Sequence, residues 1–521
     1  MLCRPLLILT IAPVFAAAAT TTARAQAGTL TPAAPPRSHV ERFSTVEMRA
    51  ERVEADANSK LTADPRDAAA LNSRAVARLF LGRYREAHED LRRAVSIKPD
   101  RAAYHANLGS ALWKLGRADE AVAAERAAVR LDDKNFQARY QLGRFLLRLG
   151  GRERTTEAVE HLRRALEIDP RQHDVRLELI TAYRALGDRA SASNHLDFLW
   201  DARPSDPRVF YTSALLATDR DDLTAAIKDF REALRRDPAF HSAWQDLGVA
   251  YMKLKRWDEA IETFTELARL RPESVEAAYL HALSLFNAGR AREAEGEARR
   301  ALRINAGAAE AHTLLGVVLA SRGDASAEAV ETLGQAAALS PNSFDAHFYL
   351  GRVLYSMRDY ASAVKDLSAA VRLNPRHAEA RFFLGTALEA SGDSRAALEQ
   401  YQELVKIDPQ SVYGQLGTGA LLVKQGKTEE AVAALARASA SDPKNFEAHL
   451  ALGRAHALAG RHAEAVASLE RAAALAPHRP DARYQLGLSL RRLGRDEDAK
   501  REFAIVEKLN ADFRAGVTTR H

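Results

Sequence analysis

A single 34-residue period governs most of this 521-residue chain. Pro170, Pro204, Pro238 and Pro272, and later Pro341, Pro375, Pro409, Pro443 and Pro477, follow Ala-rich blocks at that spacing. A frame opened at Ala68 recurs thirteen times, with units beginning at Ala68, Ala102, Phe136, His173, Pro207, His241, Val275, Ala309, Phe344, Ala378, Val412, Phe446 and Pro480, and it closes at Phe513. A unit of this length cannot shelter an apolar face by itself. The period therefore points to units that stack on their neighbours rather than to one globular core. The phase slips twice, by three residues near Arg152–Thr156 and by one near Ala325–Ala327. Both slips are expected between helices, where insertions are tolerated.

Each unit reads as two helices. Ala holds the twentieth position throughout, from Ala87 and Ala121 to Ala465 and Ala499, and Gly holds the eighth in most units, as at Gly109, Gly248, Gly351 and Gly487. Small residues at two fixed heights allow a close helix–helix approach, and larger ones would overpack it at about 1–3 kcal/mol. A Gly between them, such as Gly116, Gly187, Gly289 or Gly460, marks the end of the first helix. The Pro at position 32 stops the second helix and opens the next unit.

These residues resemble the tetratricopeptide repeat. The unit from Ser242 to Pro272 carries Trp244, Leu247, Gly248, Tyr251, Ala260, Phe264 and Pro272 at that family's signature places. Some units depart from it: Ile180 replaces a small residue, Asp221 a turn Gly, and Asp133, Ala306 and Ala511 a Pro, which leaves local helix ends open. The resemblance implies an all-α, right-handed α-solenoid superhelix of antiparallel helix pairs with a concave groove. Residues 41–67 are expected to form a capping helix region that covers the first unit. Residues 514–521 are read as a C-terminal tail.

The N-terminal segment reads as an address. Arg4 precedes the apolar stretch Leu6–Ala19, and Ala23-Arg24-Ala25 forms an A-x-A site before Gln26. Residues 1–25 thus read as a secretory signal peptide, and 26–40 as a flexible linker rich in Ala, Pro, Thr and Gly. An uncleaved anchor is the alternative, disfavoured by the short apolar run that Thr10 and Pro13 interrupt. The expected location is exported, periplasmic or secreted from a bacterium. The single Cys, Cys3, would leave with the segment, so no disulfide, thiolate metal site or cysteine nucleophile is expected. No later stretch is apolar enough to span a membrane.

Composition narrows the function further. A net charge of +6, with acids and bases interspersed, gives no basic stripe for nucleic acid. There is no G-x-S-x-G, H-E-x-x-H or Walker sequence. Gly414, Gly417 and Gly419 lie inside a first helix with no strand before them, a poor context for a phosphate cradle. His312, His347 and His449 fall at the fourth position, where packing or an interhelical hydrogen bond is expected before metal binding. No catalytic residue, metal or cofactor is expected.

The groove remains. In the family, positions 2, 5, 9, 12 and 13 of the first helices line the inner wall. The resemblance assigns Tyr140, Tyr211, Tyr279, Phe348, Phe382 and Tyr484 to position 5, and Trp113, Phe286 and Tyr355 to position 12. Arg144, Arg148, Arg352 and Arg454 join them, with acids at Asp174, Glu276, Glu310, Asp345, Glu379, Glu447 and Asp481. Aromatic and Arg side chains are common interface anchors. The other reading is that these rings pack against the neighbouring first helix. The Lys/Asn clamp of chaperone-docking relatives is absent, because position 5 is never Lys and position 9 never Asn. Of the Asn ladder of sugar-transferring relatives, Asn107 alone fits. The expectation is a non-catalytic scaffold binding a protein or peptide segment, in envelope assembly or secretion. Alternatives are a carbohydrate-binding module of polysaccharide secretion and a recruiting subunit for a separately encoded enzyme.

Overall fold

The computed structural model describes residues 37–323 and 326–514, with side chains from residue 47 onward apart from Ser326 and Arg514. The proposed signal peptide, most of the proposed linker and the tail beyond Arg514 lie outside the described residues. The fold is an all-α solenoid whose described elements are all helical. A helix over Arg37–Ala63 comes first. Thirteen helix pairs follow, and their first helices begin at the thirteen frame positions from Ala68 to Pro480. The chain divides into two compact units at Pro272/Glu273, between the sixth and seventh pairs.

Local sequence explains where each helix starts and stops. Asp67, Asn135, Ser274, Ser343, Ser411 and Asn445 cap first helices by accepting backbone N–H bonds through their side chains. First helices end where the chain turns through the left-handed region, which Gly enters at no steric cost, as at Gly187 (φ 80°) and Gly289 (φ 80°). Asp221 (φ 60°), Lys255 (φ 58°) and Arg358 (φ 63°) take the same conformation. The turn geometry therefore persists where its usual residue is missing. At Lys255, its own N–H donates to the Met252 carbonyl and the Arg256 N–H to the Tyr251 carbonyl, both at 2.9 Å.

Packing follows the small-residue register. The Ala of position 20 is buried in every repeat, from Ala87 and Ala226 at 0% exposure to Ala499 at 2%. The Gly of position 8 abuts the large residue of position 24: a Cβ added to Gly248 would lie 2.5 Å from the Phe264 ring, and one on Gly351 2.6 Å from Leu367 Cγ. The three glycines of Val412–Lys424 are explained in the same way. Cβ atoms on Gly417 and Gly419 would strike Tyr401 and Leu435, and one on Gly414 would press Leu404 and Val405. They serve packing.

The second repeat breaks this register. Glu125 stands at position 24, fully buried below Gly109, and neither carboxyl oxygen has a hydrogen-bond partner. Burial pushes its pKa up to about 9.

The three-residue insertion corrects one expectation. Arg152–Thr156 does not form a loop; it belongs to the helix Arg152–Ile168, which has 17 residues where most second helices have 14. Three residues are close to one turn, so the helix lengthens at its N-terminus while its buried face keeps phase. In the second slip, Ala327 lies within Ser326–Leu339.

In the N-terminal unit, the first helix begins at Arg37, ahead of the expected boundary, directly after Pro35-Pro36. Its Leu61 joins Leu71 and Tyr104 in one apolar cluster. Its buried Glu54 accepts from Arg78 at 2.9 Å and Arg83 at 3.0 Å, while Arg74 and Arg78 both grip Asp90.

Candidate functional site

Within each unit, consecutive first helices touch one another, so positions 2, 5, 6, 9, 12 and 13 of neighbouring repeats share one face. What differs between the units is how those positions are occupied. In the N-terminal unit, side chains one repeat apart bind each other. Asn107 donates to Asn72 at 2.8 Å, and Arg144 to Glu178 at 3.2 Å. Arg208 reaches Asp174 at 2.9 Å, Arg184 reaches Asp219 at 2.6 Å, and the Tyr211 hydroxyl donates to Asp246 at 2.8 Å. Burial and the Asp246 carboxylate hold the Tyr211 phenol far above its ordinary range, and burial raises Asp246 itself. Trp113 stacks on Phe145 with centroids 4.2 Å apart, and Arg144 lies 5.4 Å over the ring of half-buried Tyr140. Arg148 is exposed and makes no ion pair.

The C-terminal unit carries such links too, with Lys424 reaching Glu389 at 2.7 Å, but leaves several face residues exposed or without a bonded partner. Phe348 is 3% exposed and Phe286 9%, so the structure places both in the core and withdraws them from the inner wall. Phe348 packs with Phe344, His377 and Phe383 at centroid distances of 5.4, 5.3 and 6.2 Å. Arg352 lies 4.8 Å over the Phe383 ring and pairs with Glu379 at 3.3 Å. Tyr355 contacts Phe383 and Tyr360, and Phe382 contacts Phe383 and Tyr413. Tyr484 is 48% exposed, and Arg454 is exposed with no ion pair.

Around half-buried Tyr279 the wall turns acidic. Burial, Glu310, Asp345 and Tyr349 together hold its phenol above the ordinary range, which puts side chains of three successive repeats on one surface. Tyr349 is pushed up to about 12 by burial and by Asp345. Burial also raises Asp345, which like Glu310 makes no hydrogen bond or ion pair.

Sequence reasoning missed Tyr413, at position 2 and 62% exposed, and Tyr349 and Phe383, at position 6. It also missed Asp246. A signal was available for the pairs: complementary side chains spaced by 34 or 35 residues, as in Asp174/Arg208 and Arg184/Asp219.

The fourth-position histidines have a structural role. His312, His347 and His449 donate through Nε2 to the carbonyls of Ala306, Pro341 and Pro443 at 3.0–3.2 Å. Trp244 and Arg381 make the same bond to Pro238 and Pro375. The position selects an N–H donor that straps a helix start to the preceding turn. Among the described residues no group of three or more His, Cys, Asp or Glu could hold a metal, and no helix is long and apolar enough to cross a membrane.

Comparison with known proteins agrees with this architecture. Family models described as tetratricopeptide repeat match residues 72–136, 151–216, 211–275, 279–344, 348–412, 416–480 and 459–504. A segment of 91 residues is 34% identical to the peroxisomal targeting signal receptor of Saccharomyces cerevisiae, covering 18% of this chain and 15% of that one. Among solved structures, YrrB, described as a TPR protein with an unusual peptide-binding site, is 25% identical over 36% of this chain and 96% of its own, with a TM-score of 0.34. A chain from the crystal structure of the APC/C hetero-tetramer Cut9–Hcn1 aligns at 13% identity over 86% of this chain and 95% of its own, with a TM-score of 0.42. The family models span well over half of the sequence, in register with the helix pairs, and the chain belongs to the tetratricopeptide repeat family.

Proposed function

We propose that this protein is a non-catalytic scaffold that holds an extended protein or peptide segment against the first-helix face of its C-terminal unit. One contrast carries the reading. In the N-terminal unit, polar groups on that face are largely matched by the neighbouring repeat. In the C-terminal unit, Tyr413, Tyr484, Arg454, Glu310 and Asp345 are exposed or lack a bonded partner. Exposed aromatic and Arg side chains at regular spacing suit recognition of an extended chain. The partial likeness to a targeting-signal receptor points the same way.

The test is affinity capture with intact protein and with Tyr413→Ala/Tyr484→Ala. Both rings are exposed, so the variant should keep its circular dichroism and melting midpoint while captured partners fall at least fivefold, since each anchor contributes about 1–2 kcal/mol. Equal capture by both proteins would contradict the proposal.

We further propose export to a bacterial periplasm, in envelope assembly or secretion, on the strength of the Met1–Ala25 segment. N-terminal sequencing of the protein recovered from its native compartment should begin at Gln26. Recovery from the cytoplasm with Met1 retained would contradict it.

A further inference from the structure

The first-helix face of the C-terminal unit is electrically polarised along the stack. Its early repeats present Glu310 and Asp345, each in the first turn of its helix and neither bonded to a base. The half-buried Tyr349 ring lies beside Asp345, and Glu310 and Asp345 act together on the Tyr279 phenol. Three to four repeats later the sign reverses: Arg454 and Arg492 are exposed and make no ion pair. Tyr413 lies between the two regions, 62% exposed. Arg352 and Lys424, which also fall in the interval, are neutralised by Glu379 and Glu389. Glu447 and Asp481, on the first helices that bear Arg454 and Arg492, both pair with Arg479, while Arg454 acts on Asp481 and His377 on Asp345. The charges that remain without an ion pair are acidic at Glu310 and Asp345 and basic at Arg454 and Arg492.

We propose that this face takes an extended peptide carrying a basic side chain at one end and an acidic side chain or terminal carboxylate at the other, about 12 residues apart. The inference rests on the peptide-binding reading above and adds the ligand's charge order and length. The length follows from geometry. Adjacent packed helices lie about 9 Å apart, so the four steps from Glu310 and Asp345 to Arg454 and Arg492 span roughly 40 Å. An extended chain covers about 3.3 Å per residue. Aromatic faces beside carboxylates favour a cationic side chain, and Arg favours a carboxylate through paired N–H donors. Tyr413 would meet an apolar residue near the middle.

The test is selection of a random 16-residue peptide library on the intact protein, with titration of the selected peptides. Enriched sequences should hold Lys or Arg separated from Asp or Glu by about 10–14 positions. On Glu310→Gln/Asp345→Asn the basic preference should vanish and selected peptides bind about tenfold more weakly. On Arg454→Gln/Arg492→Gln the acidic preference should vanish instead. These side chains are exposed or half-buried, and circular dichroism checks that both variants stay folded. Enriched peptides without charge bias, yet lost on Tyr413→Ala/Tyr484→Ala, would overturn the charge assignment and leave the scaffold reading standing. A charge bias that persists in both neutralised variants would also overturn it. Failure to enrich any peptide would overturn both.

Discussion

Glu125 shows how one residue can set the stability of a repeat. At its position eleven of the other twelve units carry Leu, Phe or Tyr (the seventh has Ala298), in most cases against a small residue at position 8, and Glu125 brings a carboxyl to the same apolar slot. A carboxyl whose pKa is raised from 4.5 to about 9 binds a proton in the folded state that the unfolded state has released. Stability is then greatest below the unfolded value and declines as pH rises toward the folded one, by about 1.4 kcal/mol per unit at most. Gly109 leaves room for Leu, the residue that faces Gly143 and Gly351 in other repeats. Glu125→Leu should therefore stabilise the protein, with a gain that grows by about 4 kcal/mol between pH 5 and pH 8. Denaturant midpoints of both proteins at the two pH values test this, and a gain independent of pH would contradict it. Sequence reasoning passed over Glu125, whose lack of any partner depends on which side chains surround it in three dimensions.

Among elements, the helix pair is the part most legible in the sequence, because local chemistry sets its boundaries. Caps, the turn residue and the Ala and Gly heights all act within one unit. The turns make this quantitative. Lys255 and Arg358 hold a left-handed conformation that costs a non-Gly residue about 1 kcal/mol or more. Lys255→Gly and Arg358→Gly should each raise stability by roughly 0.5–1 kcal/mol, whereas Gly289→Ala should lower it by a similar amount. Urea midpoints read these changes, and a loss of stability in both Gly variants would show that the turn is not strained. The site was less legible for the opposite reason. Phe348 and Phe382 share a position in consecutive repeats, yet Phe348 is buried by Phe344, His377 and Phe383 while Phe382 remains half-exposed against Tyr413. Exposure at a given repeat position is decided by the neighbouring repeat, so a periodic reading assigns the same role to residues with different surroundings. The insertion at Arg152 was misplaced because a period counts residues without saying whether a turn of helix absorbs them.

Across the molecule, the two units divide their use of one architecture. The N-terminal unit spends its first-helix polar groups on contacts between its own repeats, at partly exposed ion pairs that each contribute modestly and weaken with salt. The C-terminal unit leaves aromatic and charged groups on the corresponding face without such partners, and it is there that a partner chain is assigned. Photo-cross-linking tests this assignment most directly, with a benzophenone amino acid placed at Tyr413 on the first-helix face or at exposed Arg437 on the second helix Thr428–Ser441 of the same repeat. Irradiation in the native compartment should give discrete adducts from position 413 and none from position 437. Adducts from position 437 alone, or the same adducts from both, would contradict the account.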